Sequence, residues 1–209
     1  MAVLLSELVN RLQGLAPARD GVPSESGYVQ CVKDAVLQLS HDAPRRVWVT
    51  VDVQSGTASY VLPDDFLFMI EWPPLSMPRD GVLNTPQGLV PVPLEGWREQ
   101  VTVADGVLML YPTPTYTMQR LLRYAGAHVL SGAVGNETYA LNEQGVRVAL
   151  LYAAYLVLTQ QAQAQAGQAW RYQIGDEMVD KSRLGDVGMA AAQAALSSYR
   201  QAVQGVKSW

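Results

Sequence analysis

The residues that could do chemistry in this 209-residue chain are few. His41 stands beside Asp42, and an imidazole oriented by a carboxylate is the pairing a general base needs. Sequence neighbours on a helix point apart, however, and no nucleophile motif such as GxSxG occurs. His41 falls near a helix end, where a cation suits the helix dipole. His128, in YAGAHVL, follows a strand, and two histidines without HExxH spacing do not make a zinc enzyme. The acids Asp64-Asp65 and Asp176-Glu177 could hold a cation, but calcium and magnesium sites draw more oxygen ligands than a pair supplies. Pro-Asp-Asp-Phe is ordinary turn chemistry. A single cysteine, Cys31, excludes an internal disulfide and a multi-cysteine zinc site, and it lies on an apolar helix stripe. Neither GxGxxG nor a phosphate-binding loop is present, and Asn136-Glu137-Thr138 is a glycosylation sequon without a secretion signal. The expectation is no catalytic residue, no cofactor and no metal.

Composition points away from chemistry as well. Hydrophobic residues make up 49% and charged residues 16%, against a usual charged share of about a quarter. Disorder goes with the opposite bias and is excluded. Interface cores are depleted in charge, so an obligate oligomer accounts for the deficit. The net charge is −4 and the densest basic run is Arg45-Arg46, which argues against tight nucleic-acid binding. A mildly repulsive wall would still let DNA slide past. The opening MAVLLSELVNRLQ places Glu7 and Arg11 inside an apolar pattern, so it reads as an amphipathic helix and no signal peptide. Glutamines interrupt the longest apolar helix, which therefore does not read as a membrane span.

The elements follow from periodicity. Leu5, Leu8, Val9, Leu12 and Leu15 have helical spacing, closed by Ala16-Pro17 and Asp20-Gly21. A second helix runs over residues 25–40, with Ser24 as N-cap and Val29, Val32, Val36 and Leu39 buried. RVWVTVDV then alternates, with Val47, Val49, Val51 and Val53 on one face. Ser55-Gly56 predicts a hairpin into TASYVL, and residues 66–72 form another strand. Six of the twelve prolines fall between Pro73 and Pro93, predicting a long loop or arm. Strands at 100–104 and 107–111 are joined by Asp105-Gly106, and 117–124 is expected to be the last strand. Helix returns over 142–166, with Val146, Ala149, Leu150, Ala153 and Val157 as its stripe. YQIGDEMVD (172–180) is extended or a short hairpin. Met189, Ala192, Leu196, Tyr199 and Val203 mark a final helix, and Gly167, Gly175, Gly185 and Gly188 suggest hinges before it.

The predicted class is α+β: two N-terminal and two C-terminal helices forming a bundle, with an inserted antiparallel β domain. The parts are an N-terminal helical part (1–44), a β-rich insertion (45–130) with a proline-rich loop (73–93), and a C-terminal helical part and arm (131–209). The helices of the last part are apolar around much of their circumference, which calls for partner surface beyond one small domain. Trp and Tyr at segment ends suit subunit contacts, which favours Trp170 and Trp209 over Trp48 inside its strand.

SYVLPDDF (59–66), DGVLMLYPTPTYTMQRLLRYAGAHVL (105–130) and LLYAAYLVL (150–158), in that order along the chain, resemble the head-to-tail adaptor (connector) proteins of tailed bacteriophages. The resemblance implies a helical ring, commonly dodecameric, docked on the portal. It also implies a β-insertion towards the tail or its tube and nozzle proteins, DNA passing through without sequence-specific binding, no membrane, and no catalytic residues. Such a protein is assembled in the host cytoplasm and resides in the virion. Carried onto this chain, subunit or portal contacts fall on Tyr152, Tyr155, Trp170, Tyr172, Ile174, Met178, Val179, Tyr199 and Trp209. Tail-facing positions fall on Trp72, Pro73, Pro74, Met77 and Trp97. The alternatives are a tail-completion or tail-terminator ring protein and a small hydrolase using His41 or His128.

Overall fold

The structure is a computed structural model and describes residues 2–72, 82–85, 88–91, 100–167, 171–174, 177–180 and 184–207. Along the chain run β1 (Ala2–Leu4), α1 (Leu5–Leu15), α2 (Glu25–Asp42), β2 (Arg45–Val53), β3 (Ser59–Val61) and β4 (Phe66–Glu71). Then come β5 (Val82–Thr85), β6 (Gly88–Pro91), β7 (Gln100–Ala104), β8 (Val107–Tyr111), β9 (Met118–Gly126), β10 (Leu130–Ser131) and β11 (Thr138–Ala140). The chain finishes with α3 (Glu143–Ala166), β12 (Arg171–Ile174), β13 (Glu177–Asp180) and α4 (Leu184–Lys207). Helices with antiparallel sheets make the class α+β. Contacts divide the chain into two units, residues 1–44 with 128–209, and residues 45–127.

In the helical unit, α2 starts where Ser24 accepts from the Gly27 amide at 3.2 Å, and α3 where Asn142 accepts from the Gly145 amide at 2.7 Å. Each cap satisfies a helix-end donor that would otherwise lack a partner. Leu8, Leu12, Val32, Val36, Leu39, Val148 and Val157 fill the core. Each such side chain, taken fully out of water, contributes about 1.5–3 kcal/mol. Leu15 was expected in this stripe but is 63% exposed, because the backbone leaves helical geometry at Ala16 and Ala16 takes the buried place. The α1–α2 connection is pinned from α3. The Gln161 side chain, 4% exposed, donates to the carbonyls of Pro17 (2.8 Å) and Val22 (3.1 Å). Tyr28 donates to the Ala16 carbonyl at 2.7 Å.

Gly185 and Gly188 are not hinges. Both lie inside α4, and a Cβ on either would stand 2.9 Å from the Cβ of Ala166 or Ala162 on α3. They are the points where two helix backbones approach closely. The N-terminus also differs from expectation: Ala2–Leu4 is a strand paired with β11, which in turn pairs with β10. Residues 117–124 therefore do not hold the last strand.

In the unit of residues 45–127, β2, β9 and β4 form one antiparallel sheet and β3, β8 and β7 another. Their inner side chains, among them Val53, Leu62, Leu108, Leu110, Leu122 and Tyr124, share one core. The β7–β8 hairpin forms as predicted, with Asp105 (φ 51°) and Gly106 (φ 74°) supplying the left-handed turn. The expected β2–β3 hairpin does not form. β2 finds nine consecutive partners in β9, whereas β3 offers three residues and pairs with β8. The Ser55-Gly56 turn is real, yet the Gly56 amide donates to the Pro114 carbonyl and hands the chain to the other sheet. Within the proline-rich stretch, β5 and β6 pair as a two-stranded ribbon where a loop was expected.

Candidate interaction surfaces

Of the groups with chemical potential, His128, Asp42 and Cys31 are committed to structure. The amide of His128 donates to Ser40 Oγ at 2.9 Å, and its Nε2 lies 3.2 Å from the Ala43 carbonyl. A carbonyl only accepts, so that nitrogen carries the proton. His41 is exposed at the end of α2, while Asp42 Oδ2 accepts from Tyr199 Oη (2.6 Å) and Gln38 Nε2 (3.1 Å). Burial pushes the Cys31 thiol up, and Asp34 adds to this, which disfavours the reactive thiolate. Among the described residues no group of three His, Cys, Asp or Glu is placed to hold a metal. No described helix is long and apolar enough to cross a membrane.

Asp65 ties a junction. Its Oδ2 accepts from Arg45 Nη2 at 2.5 Å, its Oδ1 from Tyr124 Oη at 2.8 Å, and its backbone carbonyl from the Ala127 amide at 2.7 Å. Burial first, then the hydrogen bond and charge of Asp65, push the Tyr124 phenol up to about 12. The neutral phenol is thus the form the fold favours. Its stabilising contribution is full below a free tyrosine's pKa of about 10 and is lost as pH rises through about 12. Urea midpoints at pH 9 and pH 12 should separate widely for the native chain. Tyr124→Phe should narrow that gap, and an unchanged gap would contradict the assignment.

Three surfaces among the described residues suit a partner. The first is the outer face of the β2–β9–β4 sheet. Alternation along β2 turns Val47, Val49 and Val51 inward and leaves Trp48 outward, 51% exposed. Phe68 (54%) and Leu121 (45%) share this outer face by register. The Arg123 guanidinium lies 5.0 Å from the Trp48 ring centre and 3.5 Å from Glu71. A cation over an indole is held by the ring's negative face, which keeps Arg123 beside the patch. The second surface is a groove of about 520 Å³ lined by Gln38, Tyr152, Tyr155, Tyr199 and Arg200. The Tyr152 ring sits 4.8 Å from that of Tyr199 and 5.5 Å from that of Tyr155. The third is a groove of about 550 Å³ along β2 and β3.

The residues expected at interfaces are placed unevenly. Tyr152 and Tyr155 are half-buried at the rim of the tyrosine groove. Tyr199 is 3% exposed, so it supports that rim from within its own unit and presents no ring face to a partner. Burial, together with the bond to Asp42, raises its phenol well above the usual value. Tyr172, Ile174, Met178 and Val179 lie on the β12–β13 hairpin, where Tyr172 pairs with Val179 and Ile174 with Glu177. Trp170, Trp209, Pro73, Pro74, Met77 and Trp97 lie outside the described residues. Trp72 is half-buried against the β core, with the Arg120 guanidinium 4.3 Å from its ring centre. The Trp48–Phe68–Leu121 face was missed, although the valine alternation already placed Trp48 outward.

Comparison with known proteins shows that the family model described as SU10 adaptor protein matches residues 4–203. No curated protein matches significantly.

Proposed function

The chain belongs to the SU10 adaptor protein family, a family of phage head-to-tail adaptors, and from that membership we propose that it assembles as a dodecameric ring beneath the portal. In this reading the ring extends the DNA channel and gives the tail a docking surface. The carrying observation is the family match, which runs through both units and leaves only the ends uncovered. The role is structural. His128, Asp42 and Asp65 are bound into the fold, which supports a protein without catalysis.

The partner surfaces divide by unit. On the helical unit, Tyr152 and Tyr155 on α3 offer half-buried aromatic surface for a neighbouring copy. The β12–β13 hairpin, flanked by Trp170 and with Trp209 at the chain end, is the element assigned to the portal. On the β unit, the sheet face of Trp48, Phe68 and Leu121 is assigned to the tail side, and the segment from Pro73 to Pro93 to the tail or a neighbouring ring component. Interfaces of an obligate kind bury more than ~2,000 Å² in total, which demands several such patches per copy. The particle forms in the host cytoplasm and carries the chain at its head–tail junction.

Light scattering on the purified protein, alone and mixed with the portal ring of the same phage, tests this. A multi-copy assembly, formed alone or only on the portal, is the expected result. A monomer indifferent to the portal would remove the ring reading.

A further inference from the structure

β2 has an unusual edge. It pairs with β9 through nine consecutive residues without a register shift, and among the described residues no strand pairs at its other side. The opposite edge of the same sheet, β4, is interrupted by two register shifts. Irregularity of that kind blunts an edge against pairing, whereas a long regular edge is a template for another strand. The groove of about 550 Å³ lies along this edge. Val49, Thr50, Val51 and Asp52 all line it, although alternate residues point to opposite faces of the sheet. What the groove meets is therefore the side of the strand, with its backbone donors and acceptors. β3, itself an edge strand, forms the far wall, and Leu108 and Leu122 back the groove.

The same chain carries a matching piece. β5 and β6 pair with each other and join neither three-stranded sheet. Residues 82–93 contain no charged residue. A two-stranded ribbon alone is marginal in water, so an uncharged one calls for a surface to cover it. β5 has no proline and keeps every backbone N–H, while β6 ends in Pro91. Size agrees as well. A strand residue fills about 160 Å³, from a rise of ~3.3 Å, a strand spacing of ~4.8 Å and a layer spacing of ~10 Å. The groove thus takes a strand of about three to four residues, and β5 has four.

We propose that β5 of one copy adds to the free edge of β2 on the next copy, with β6 carried at the mouth of the groove. The partner is a second copy of this chain. Donor and acceptor lie on different surfaces, so the contact is heterologous and can propagate around a ring. The inference rests on the ring reading above.

The test mixes a Thr50→Cys variant with an Asn84→Cys variant, in the presence of the portal ring, under mild oxidation. Both variants also carry Cys31→Ala, which removes the native thiol, so a disulfide in this mixture can form only between copies. The expected result is a cross-linked dimer, absent when Val134→Cys, at a 95% exposed position in the other unit, replaces Thr50→Cys. Asn84→Pro, which removes one backbone donor from β5, should raise the concentration needed for assembly up to about tenfold, the loss of one hydrogen bond. Rings without the cross-link, and with Asn84→Pro assembling normally, would overturn the strand exchange and leave the ring standing. Absence of any assembly, even on the portal, would end both.

Discussion

Replacing Asp65 with alanine should lower the stability of the β unit by about 2–4 kcal/mol, the range for breaking a largely buried, hydrogen-bonded charge pair. The side chains concerned are 32% exposed for Arg45 and 17% for Asp65, which keeps the cost below that of a fully buried pair. The effect is large because one carboxylate serves two partners. Without it the Arg45 guanidinium loses its counter-charge and the Tyr124 hydroxyl loses its acceptor inside the core. Arg45 opens β2 and Tyr124 lies near the end of β9, so Asp65 fastens the strand that enters the unit to the strand that leaves it. Asp65→Asn keeps an acceptor for Tyr124 and removes the charge, and should cost roughly half as much. Chemical denaturation of the two variants checks the order. Equal midpoints for native and Asp65→Ala proteins would show that the junction is held elsewhere.

Asp65 also marks how far sequence alone reaches. The acids of Pro-Asp-Asp-Phe were legible as turn chemistry, and the turn is there: the Phe66 amide donates to the Pro63 carbonyl. That the second acid binds an arginine twenty positions back and a tyrosine fifty-nine ahead is not visible without the fold. The same division runs through the chain. Local signals were read correctly at Ser24, at Asp105-Gly106 and across the stripe of α3, because caps, turns and periodicity act within a few residues. Pairing between distant strands was not legible. Ser55-Gly56 looks like a hairpin turn, but β2 gains nine partners from β9, about seventy residues on, and three-residue β3 cannot compete. The strands β1, β10 and β11 have two or three residues each, too short for alternation to register. The interaction surfaces were half legible: the tyrosines of α3 stood out as aromatics on a helix, while the burial of Tyr199 depended on α4 packing against α2 and α3.

The glycines of α4 give the second large effect, one opposite to what glycine usually means. An exposed helical glycine replaced by alanine gains about 1 kcal/mol of helix propensity. At Gly188 the added Cβ would stand 2.9 Å from Ala162 Cβ and 3.2 Å from its Cα, and neither atom can swing away. Gly188→Ala should therefore come out near neutral, propensity offsetting the forced separation. Gly188→Leu adds three further carbons at the same point and should cost about 1–3 kcal/mol, as overpacking does. The double variant Gly185→Leu/Gly188→Leu should lift the first two turns of α4 from α3, while Ala192, Tyr199 and Val203 hold the remainder. Hydrogen exchange should then accelerate over residues 185–190 and stay slow beyond Tyr199. Those first turns follow the β12–β13 hairpin in the chain, separated from it by three residues. If that hairpin contacts the portal as proposed, the double variant keeps its fold and loses portal binding, because the base that positions the hairpin has moved. Protection and portal binding both unchanged would mean that the α3–α4 approach tolerates bulk and that the glycines serve neither packing nor docking.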